Sequence, residues 1–308
     1  MSTGTIFTGT LYHTLEETLS EFPDDELSGA TKMVAKKWLG DMFGRPMRKH
    51  METDLEFGGP ALLSEKNEGE TLSPVTVKEG AVWTYLARTI AGSITATEEI
   101  LEDNLYPEVI KAAARLSSAY YLTVDVDCTN MKARAQNADY TGGDGVSLAS
   151  ASHTLPDGGT WSNQMAVPLP PSVLLVSTAR TAVRKFPGHN GYTGFGGYEL
   201  KLVTFPVEQE TVWEQLVNSE KTPTAGNFAE INIVPRMGLK TVPDVYWTNT
   251  TTNCMFITDC SKGVQHRWRA KPKSRTYVTD GNQSMTWAIR GRHATGWSDP
   301  RGVFFNGA

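Results

Sequence analysis

The clearest pattern of apolar and polar positions lies in the first half of the chain and predicts a long helix. Apolar side chains recur there at intervals of three and four residues, the spacing of one helix face: Val109, Ala113, Leu116, Tyr120 and Val124. Pro107 stands where a first helical turn tolerates proline. We predict a helix from about residue 107 to about residue 134, roughly 40 Å long and therefore able to act as a strut.

Shorter helices are predicted at four further places. Thr95 and Glu98 have the spacing of a capping box, which indicates a short helix at 96–103. The other three segments place apolar residues at helical intervals: "GATKMVAKKWLGDMFG" (29–44), "PSVLLVSTARTAVRKF" (171–186) and "QETVWEQLVNS" (209–219).

Strand-like patterns dominate the second half of the chain. Alternation at Val82, Tyr85 and Ala87 predicts an earlier strand. The later segments are "YELKLVTF" (198–205), "AEINIVP" (229–235), "DVYWTN" (244–249), "CMFITD" (254–259), "TYVTD" (276–280) and "SMTWAIRGRHATGW" (284–297). Helices mostly in the first two-thirds and strands mostly later predict an α+β chain.

Residues 51–80 change the picture, because they cannot build a core alone. The segment is acidic and rich in Gly and Pro, with short apolar pieces at Leu62, Leu63 and 75–77. We expect a long arm or hairpin loop that packs on something else.

Charge and composition narrow the class of protein. The net charge of −5 combines −10 over residues 1–154 (13 basic, 23 acidic) with +5 over residues 155–308 (16 basic, 11 acidic). Such a split favours contact between unlike parts of the molecule, within or between chains, although drift of solvated surface charge would give the same totals.

The 3 cysteines are widely spaced, which argues against a disulfide scaffold or a zinc site. No apolar run is long enough to cross a bilayer, and the first residues lack the basic and apolar regions of a secretory signal.

The segment "GGDGVSLASASH" (142–153) contains the residue types of an active site but fits no catalytic template. It lacks the lysine of a phosphate-binding loop and the GxSxG of a hydrolase elbow. A turn with φ > 0, in which Asp144 bonds its own backbone, explains it. A serine hydrolase using Ser147 or Ser152 with His153 is the enzymatic alternative. The 6 histidines show no metal-binding spacing, so we expect no catalytic, cofactor or metal residues.

A row of basic residues is the most specific charged feature. Every second position is basic in an extended segment, so the five side chains point to one face: Arg267, Arg269, Lys271, Lys273 and Arg275. Such a row would contact DNA phosphates, dock on an acidic segment such as 52–70 of another copy, or form a solvated edge that blocks strand pairing. The sequence leaves these alternatives open, including a DNA-binding protein, against which the net charge weighs.

Four phrases in order resemble the tailed-bacteriophage major capsid proteins of the Hong Kong 97-type fold, in particular those like the Mu-type major head subunit. The resemblance covers roughly residues 85–308. The phrases are "ITATEEILEDNLYPEVIKAAARLSSAYYLTVD" (94–125), "GGDGVSLASASHTLPDGGTWSN" (142–163), "YELKLVTFPVEQETVWEQLVNS" (198–219) and "GRHATGWSDPRGVF" (291–304).

The resemblance implies an architecture and a function. It implies an N-terminal arm (1–50), an extended loop (51–84), a peripheral domain built on a spine helix (85–187, with a C-terminal strand at about 281–308) and an axial domain (188–280). Copies would form pentamers and hexamers of an icosahedral shell in the virion, assembled in the host bacterial cytoplasm around double-stranded DNA. An encapsulin-like compartment is the structural alternative.

The partners implied are the chain itself, portal and scaffold proteins, decoration proteins and packaged DNA bound without sequence specificity, with no membrane and no enzymatic activity. We predict the subunit interface at ten residues, five in the extended loop and five in the basic row: Leu62, Leu63, Lys66, Glu68, Glu70, Arg267, Arg269, Lys271, Lys273 and Arg275.

Overall fold

The structure is a computed structural model of the chain. It describes residues 33–60, 62–63, 65–69, 71–72, 74–75, 77–97, 106–189, 191–192, 197–221, 231–248, 252–279 and 284–307. The predicted helix at 96–103 and most of the N-terminal arm lie outside these ranges.

Helices and strands alternate irregularly, as expected for an α+β chain. The α-helices are α1 (Val34–Leu39), α2 (Tyr106–Ala133), α3 (Val173–Arg184) and α4 (Glu210–Asn218). The strands are β1 (Arg45–Pro46), β2 (Met51–Phe57), β3 (Glu79–Leu86), β4 (Arg88–Ala96), β5 (His153–Thr154), β6 (Thr160–Trp161), β7 (Leu200–Pro206), β8 (Lys240–Asp244), β9 (Cys254–Thr258), β10 (Val264–Thr279), β11 (Ser284–Trp297) and β12 (Val303–Asn306).

Two compact units divide the chain. The first contains residues 87–127 and 268–294, and the second contains residues 34–86, 128–267 and 295–308. The domain boundaries implied by the resemblance stay a prediction.

The first unit packs helix α2 on one face of a sheet. Strands β10, β11 and β4 are neighbours in this sheet, and β11 and β4 are antiparallel over Met285–His293. A Cβ on Gly291 would lie 2.2 Å from Oη of Tyr120, and one on Gly92 would lie 3.3 Å from Cδ1 of Leu116. Glycine at both positions therefore lets the helix approach the strands closely.

The second unit holds the larger apolar core. Its sheet has the order β12-β9-β7-β8, in which β7 and β8 are parallel and the other pairs antiparallel. Helices α3 and α4 bury one face each among the strands, with Leu175 and Trp213 fully enclosed. Trp213 stacks on Phe205 of β7 at 5.3 Å, which ties α4 to the sheet.

Several predicted elements are confirmed, and two strands were predicted wrongly. Helix α2 covers nearly the predicted range, and "HRWRAKPKSR" lies in β10. In "DVYWTN" the strand ends at Asp244, because Oδ1 of Asp244 accepts a hydrogen bond from the Tyr246 backbone N–H and forms a turn. In "AEINIVP", the described residues 231–235 contain only one isolated bridge. Asn232 bonds the Leu216 carbonyl and the Val234 N–H there, competing with a strand ladder.

Candidate assembly surfaces

The glycine-rich segment at 142–145 is a turn, as predicted. Gly145 has φ +79°, and its N–H donates to the Gly142 carbonyl at 3.2 Å. Asp144 accepts from the Val146 N–H with one oxygen and contacts Nδ1 of His153 at 2.6 Å with the other. The aspartate therefore joins the turn to β5.

The same segment does not form the serine–histidine hydrogen bond that activates a serine nucleophile. The His153 side chain is fully buried, and its Nε2 has no hydrogen-bond partner among the described atoms. The hydroxyl of Ser147 donates to the Ala149 carbonyl, and that of Ser152 lies by Ser150. Neither serine is placed to pass a proton to the histidine, which nucleophilic catalysis would require.

A row of three carboxylates anchors the β2–β3 hairpin. Glu52, Asp54 and Glu56 alternate along β2, so their side chains share one face. Arg267 forms ion pairs with Asp54 and, at 3.4 Å, with Glu52. Arg301 pairs with Glu56 at 3.0 Å. Because both arginines are buried, these contacts fix the base of the hairpin.

The Arg301 guanidinium is held from several sides. Its side chain is 2% exposed, Nη1 lies 3.1 Å from Oδ1 of Asp299, and Nε donates to the Pro187 carbonyl at 2.6 Å. Nδ1 of His189 lies 2.7 Å from Oε1 of Glu56, on the carboxylate that Arg301 also contacts. The hairpin base is therefore part of a buried polar network.

Two carboxyl groups at the base of the β2–β3 hairpin are held in their charged form. Burial opposes ionisation of Asp54, but hydrogen bonds from Ser298 and Arg267 and the charge of Arg267 outweigh it and lower its pKa. Burial likewise opposes ionisation of Glu56, and the His189 hydrogen bond and the Arg301 charge lower its pKa below the ordinary 4.5. Both residues are thus ionised at neutral pH.

The opposite face of the hairpin is apolar and exposed. Met51 lies opposite Leu86, and Leu55 lies opposite Val82. Met51, Leu86, Val82 and Phe57 are all exposed. An apolar face of this kind on a two-stranded ribbon is suited to contact with another surface.

The loop between β2 and β3 continues this exposure. Leu62 and Leu63 are 68% and 80% exposed. Lys66 and Glu68 are exposed as well, and Glu70 lies outside the described residues. The structure therefore places four of the five loop residues predicted for an interface at an accessible position.

The basic row divides into two parts. Arg267 is buried and paired within its own unit, where its guanidinium also lies 3.8 Å from the centroid of the Tyr85 ring. Arg269, Lys271, Lys273 and Arg275 are exposed on β10 in the first unit. Only these four are therefore accessible to a partner.

The exposed part of the row lines a cavity in the first unit, on the sheet of β10, β11 and β4. The cavity measures about 670 Å³. Its basic lining includes two residues that sequence reasoning missed, Arg290 and Arg292. The alternating arginines of "RGR" (290–292) could have revealed this pair from the sequence. In the same way, the alternating acidic residues of "METDLEF" (51–57) could have revealed the row of carboxylates on β2.

Metal and membrane sites receive no support from the described ranges. No group of three or more potential ligands is close enough there to hold a metal ion. None of the described helices combines the length and apolar character needed to span a bilayer.

Comparison with known proteins places this geometry in a family. The solved structures that are similar in fold include "Capsid structure of the Cyanophage P-SCSP1u" (TM-score 0.55, 12% identity, 86% of this chain and 85% of that one), "Mycobacterium phage Bobi" (0.53, 13%, 92% and 93%) and "Capsid of native GTA particle computed with C5 symmetry" (0.53, 11%, 88% and 89%). No curated protein matches the chain by sequence. A family model described as "Phage capsid protein" matches residues 82–306. The chain therefore belongs to the phage capsid protein family.

Proposed function

We propose that the chain is the major subunit of a phage head and that its copies form pentamers and hexamers of an icosahedral shell around double-stranded DNA. Membership of the capsid family supports self-association. The observation that carries the proposal is the β2–β3 hairpin, whose base is clamped by ion pairs while its outer face and loop expose apolar side chains. A subunit that buries this surface against neighbours in a closed shell gains stability from many repeated contacts.

The interface of this proposal includes the hairpin loop. Leu62 and Leu63 supply apolar area, and Lys66 and Glu68 supply charges at its rim. Glu70 belongs to the same loop. Arg267 contributes indirectly, because its ion pairs with Glu52 and Asp54 fix β2.

The proposed role is structural rather than catalytic. The buried His153 and the backbone-bonded hydroxyl of Ser147 support this view, as does family membership. The arm, loop, peripheral and axial parts would follow the boundaries 1–50, 51–84, 85–187 with about 281–308, and 188–280. Assembly would take place in the host cytoplasm with portal, scaffold and decoration proteins.

Shortening the hairpin loop tests the proposal. Residues 60–76 are replaced by a short Gly/Ser linker, which keeps both strands and the Gly58 N–H bond to the Lys78 carbonyl. We expect the variant to fold with an unchanged circular dichroism spectrum, because the loop leaves its leucines exposed. Electron microscopy should then show closed shells for the unmodified chain and none for the variant.

Point variants provide the matched control for this deletion. Leu62→Ser with Leu63→Ser removes only the apolar contact and should reduce the yield of shells at unchanged thermal stability, whereas Lys201→Gln, an exposed change on β7, should not. Closed shells of normal yield from the loop-shortened chain would show that the loop makes no essential subunit contact.

A further inference from the structure

The exposed face of the sheet in the first unit concentrates positive charge. Six basic residues line its cavity, and no acidic residue is among the described residues of the lining. They comprise four from β10 and two from β11: Arg269, Lys271, Lys273, Arg275, Arg290 and Arg292. Leu116 and Tyr120 of α2 contact the other face of this sheet at Gly92 and Gly291, so the six cations lie on the side away from the helix.

Neighbouring strands bring these cations side by side. A Cβ on Gly291 would lie 3.1 Å from Cα of Pro272, so the two residues face each other across β10 and β11. The residues that flank them, Lys271 and Lys273 on one strand and Arg290 and Arg292 on the other, are therefore adjacent too. Like charges on adjacent strands destabilise a sheet. An anion on this face would remove that repulsion.

The amount of negative charge distinguishes between two candidate occupants of this sheet face, an acidic segment of a second copy and a DNA duplex. The first is the acidic segment 52–70 of a second copy, which carries six acidic residues and one basic residue. Three of the acidic residues, Glu52, Asp54 and Glu56, are already paired with arginines of their own subunit, so the rest of the segment presents a net charge of only −2. The row from Arg269 to Arg275 is about 20 Å long at roughly 3.3 Å per residue. A DNA duplex presents about six phosphates per strand over that length. The duplex therefore matches six cations, and the loop does not.

The overall negative charge of the chain does not oppose this match. At physiological ionic strength charges are screened beyond about 8 Å. A phosphate at the sheet face therefore responds to the six local cations rather than to the net charge of −5.

We propose that this basic sheet face binds the phosphate backbone of double-stranded DNA without reading its sequence. The cations would neutralise phosphates and release their counterions, which makes the affinity depend steeply on salt. The inference deepens the proposed function, because it identifies the surface of the subunit that meets the packaged DNA.

The salt dependence of DNA binding tests the inference. Fluorescence anisotropy with a labelled 20-base-pair duplex of arbitrary sequence is measured on the full chain before assembly, from 50 to 200 mM KCl. Six phosphate contacts predict a loss of affinity of roughly 10³-fold over this range. The variant Lys271→Gln with Lys273→Gln and Arg275→Gln retains three of the six cations, so its affinity for the duplex should fall only about 40-fold over the same range.

A charge-matched control removes three exposed lysines from the second unit. The variant Lys185→Gln with Lys201→Gln and Lys240→Gln changes the net charge equally and should keep the salt slope of the unmodified chain. Electron microscopy of the same preparations reports assembly separately. Shells that fail to form from the unmodified chain would contradict the proposed function, while the DNA slopes would still test the basic face.

Two results would overturn the inference. One is a salt slope that is unchanged in the sheet-face variant. The other is loss of assembly when Lys271 and Lys273 are changed to Glu, with recovery when Glu65 and Glu68 are changed to Lys. That recovery would assign the face to the acidic loop of a second copy.

Discussion

Replacing Arg301 by methionine should strongly destabilise the subunit, because the guanidinium is the common partner of two buried carboxylates. Nη1 lies 3.0 Å from Oε1 of Glu56 and 3.1 Å from Oδ1 of Asp299. Methionine fills much of the space of the aliphatic stem but brings no charge and no donor. Arg301→Met therefore leaves both carboxylates buried without their main counter-charge.

The expected magnitude follows from this geometry. Breaking a buried ion pair by removing one partner costs about 3–5 kcal/mol. His189 remains beside Glu56, which favours the lower half of that range. At about 2–3 °C per kcal/mol for a chain of this size, a loss of about 3–4 kcal/mol should lower the melting temperature by about 6–12 °C.

The loss should depend on pH with a definite sign. The pKa of Glu56 in the folded chain lies below its ordinary 4.5, so the ion pair stabilises fully above that value and its contribution is lost as pH falls through the lowered pKa. In the variant the arginine charge is gone and burial remains, which raises the pKa of the carboxyl. The variant is therefore penalised most at neutral pH, and protonation relieves it as the pH falls.

Differential scanning fluorimetry of unassembled subunits at pH 7 and pH 4 provides the measurement. Arg184→Met is the matched control, because Arg184 pairs with Glu199 at 3.2 Å with both side chains about half exposed. Such a surface pair contributes about 0–1 kcal/mol. A fall of less than about 2 °C for Arg301→Met, or an equal fall at both pH values, would refute the role of the buried network.

Two further sites in the second unit, the Lys132–Asp244 ion pair and the glycine turn at 142–145, provide additional tests. Lys132→Met should lower the free energy of unfolding by about 3–5 kcal/mol, because it leaves the fully buried Asp244 carboxylate without its counter-charge. Adding Asp244→Asn should recover part of this loss, and chemical denaturation measures both changes. Gly142→Ala should cost about 1–3 kcal/mol or more, because its Cβ would lie 2.1 Å from a ring carbon of Trp83. Gly145→Ala meets no atom within 4 Å, so it should cost only the roughly 1–2 kcal/mol of left-handed backbone strain. Equal losses at the two glycines would contradict the packing.

The elements that the sequence predicted well are those set by local periodicity. Helix α2 has a sustained apolar pattern, and its observed bounds differ from the prediction by one residue at each end. The turn at 142–145 was also predictable, because a left-handed glycine beside an aspartate is a local preference. Such features depend on residues that are close in sequence.

The features that the sequence did not reveal depend on contacts between distant residues. Gly142 looked like a turn residue, yet close approach of Trp83 is what excludes a side chain there. Arg267 shared the alternation of the basic row, but its neighbours in space are Glu52 and Asp54, more than two hundred residues away. Periodicity gives the face of a strand and does not give what lies against that face.

Some cations of the protein are buried and others are exposed, so salt screens them to different extents, and this difference bears on assembly. Arg267 and Arg301 are buried and hydrogen-bonded, so their ion pairs are weakly screened by salt. The cations on the β10 sheet face are mostly exposed, so any anion they hold is released as ionic strength rises. The hairpin should therefore keep its geometry over the range of salt in which the proposed DNA complex of the sheet face would dissociate. Under the proposals made above, subunit contacts through the apolar hairpin would persist at salt concentrations that release DNA from the sheet face.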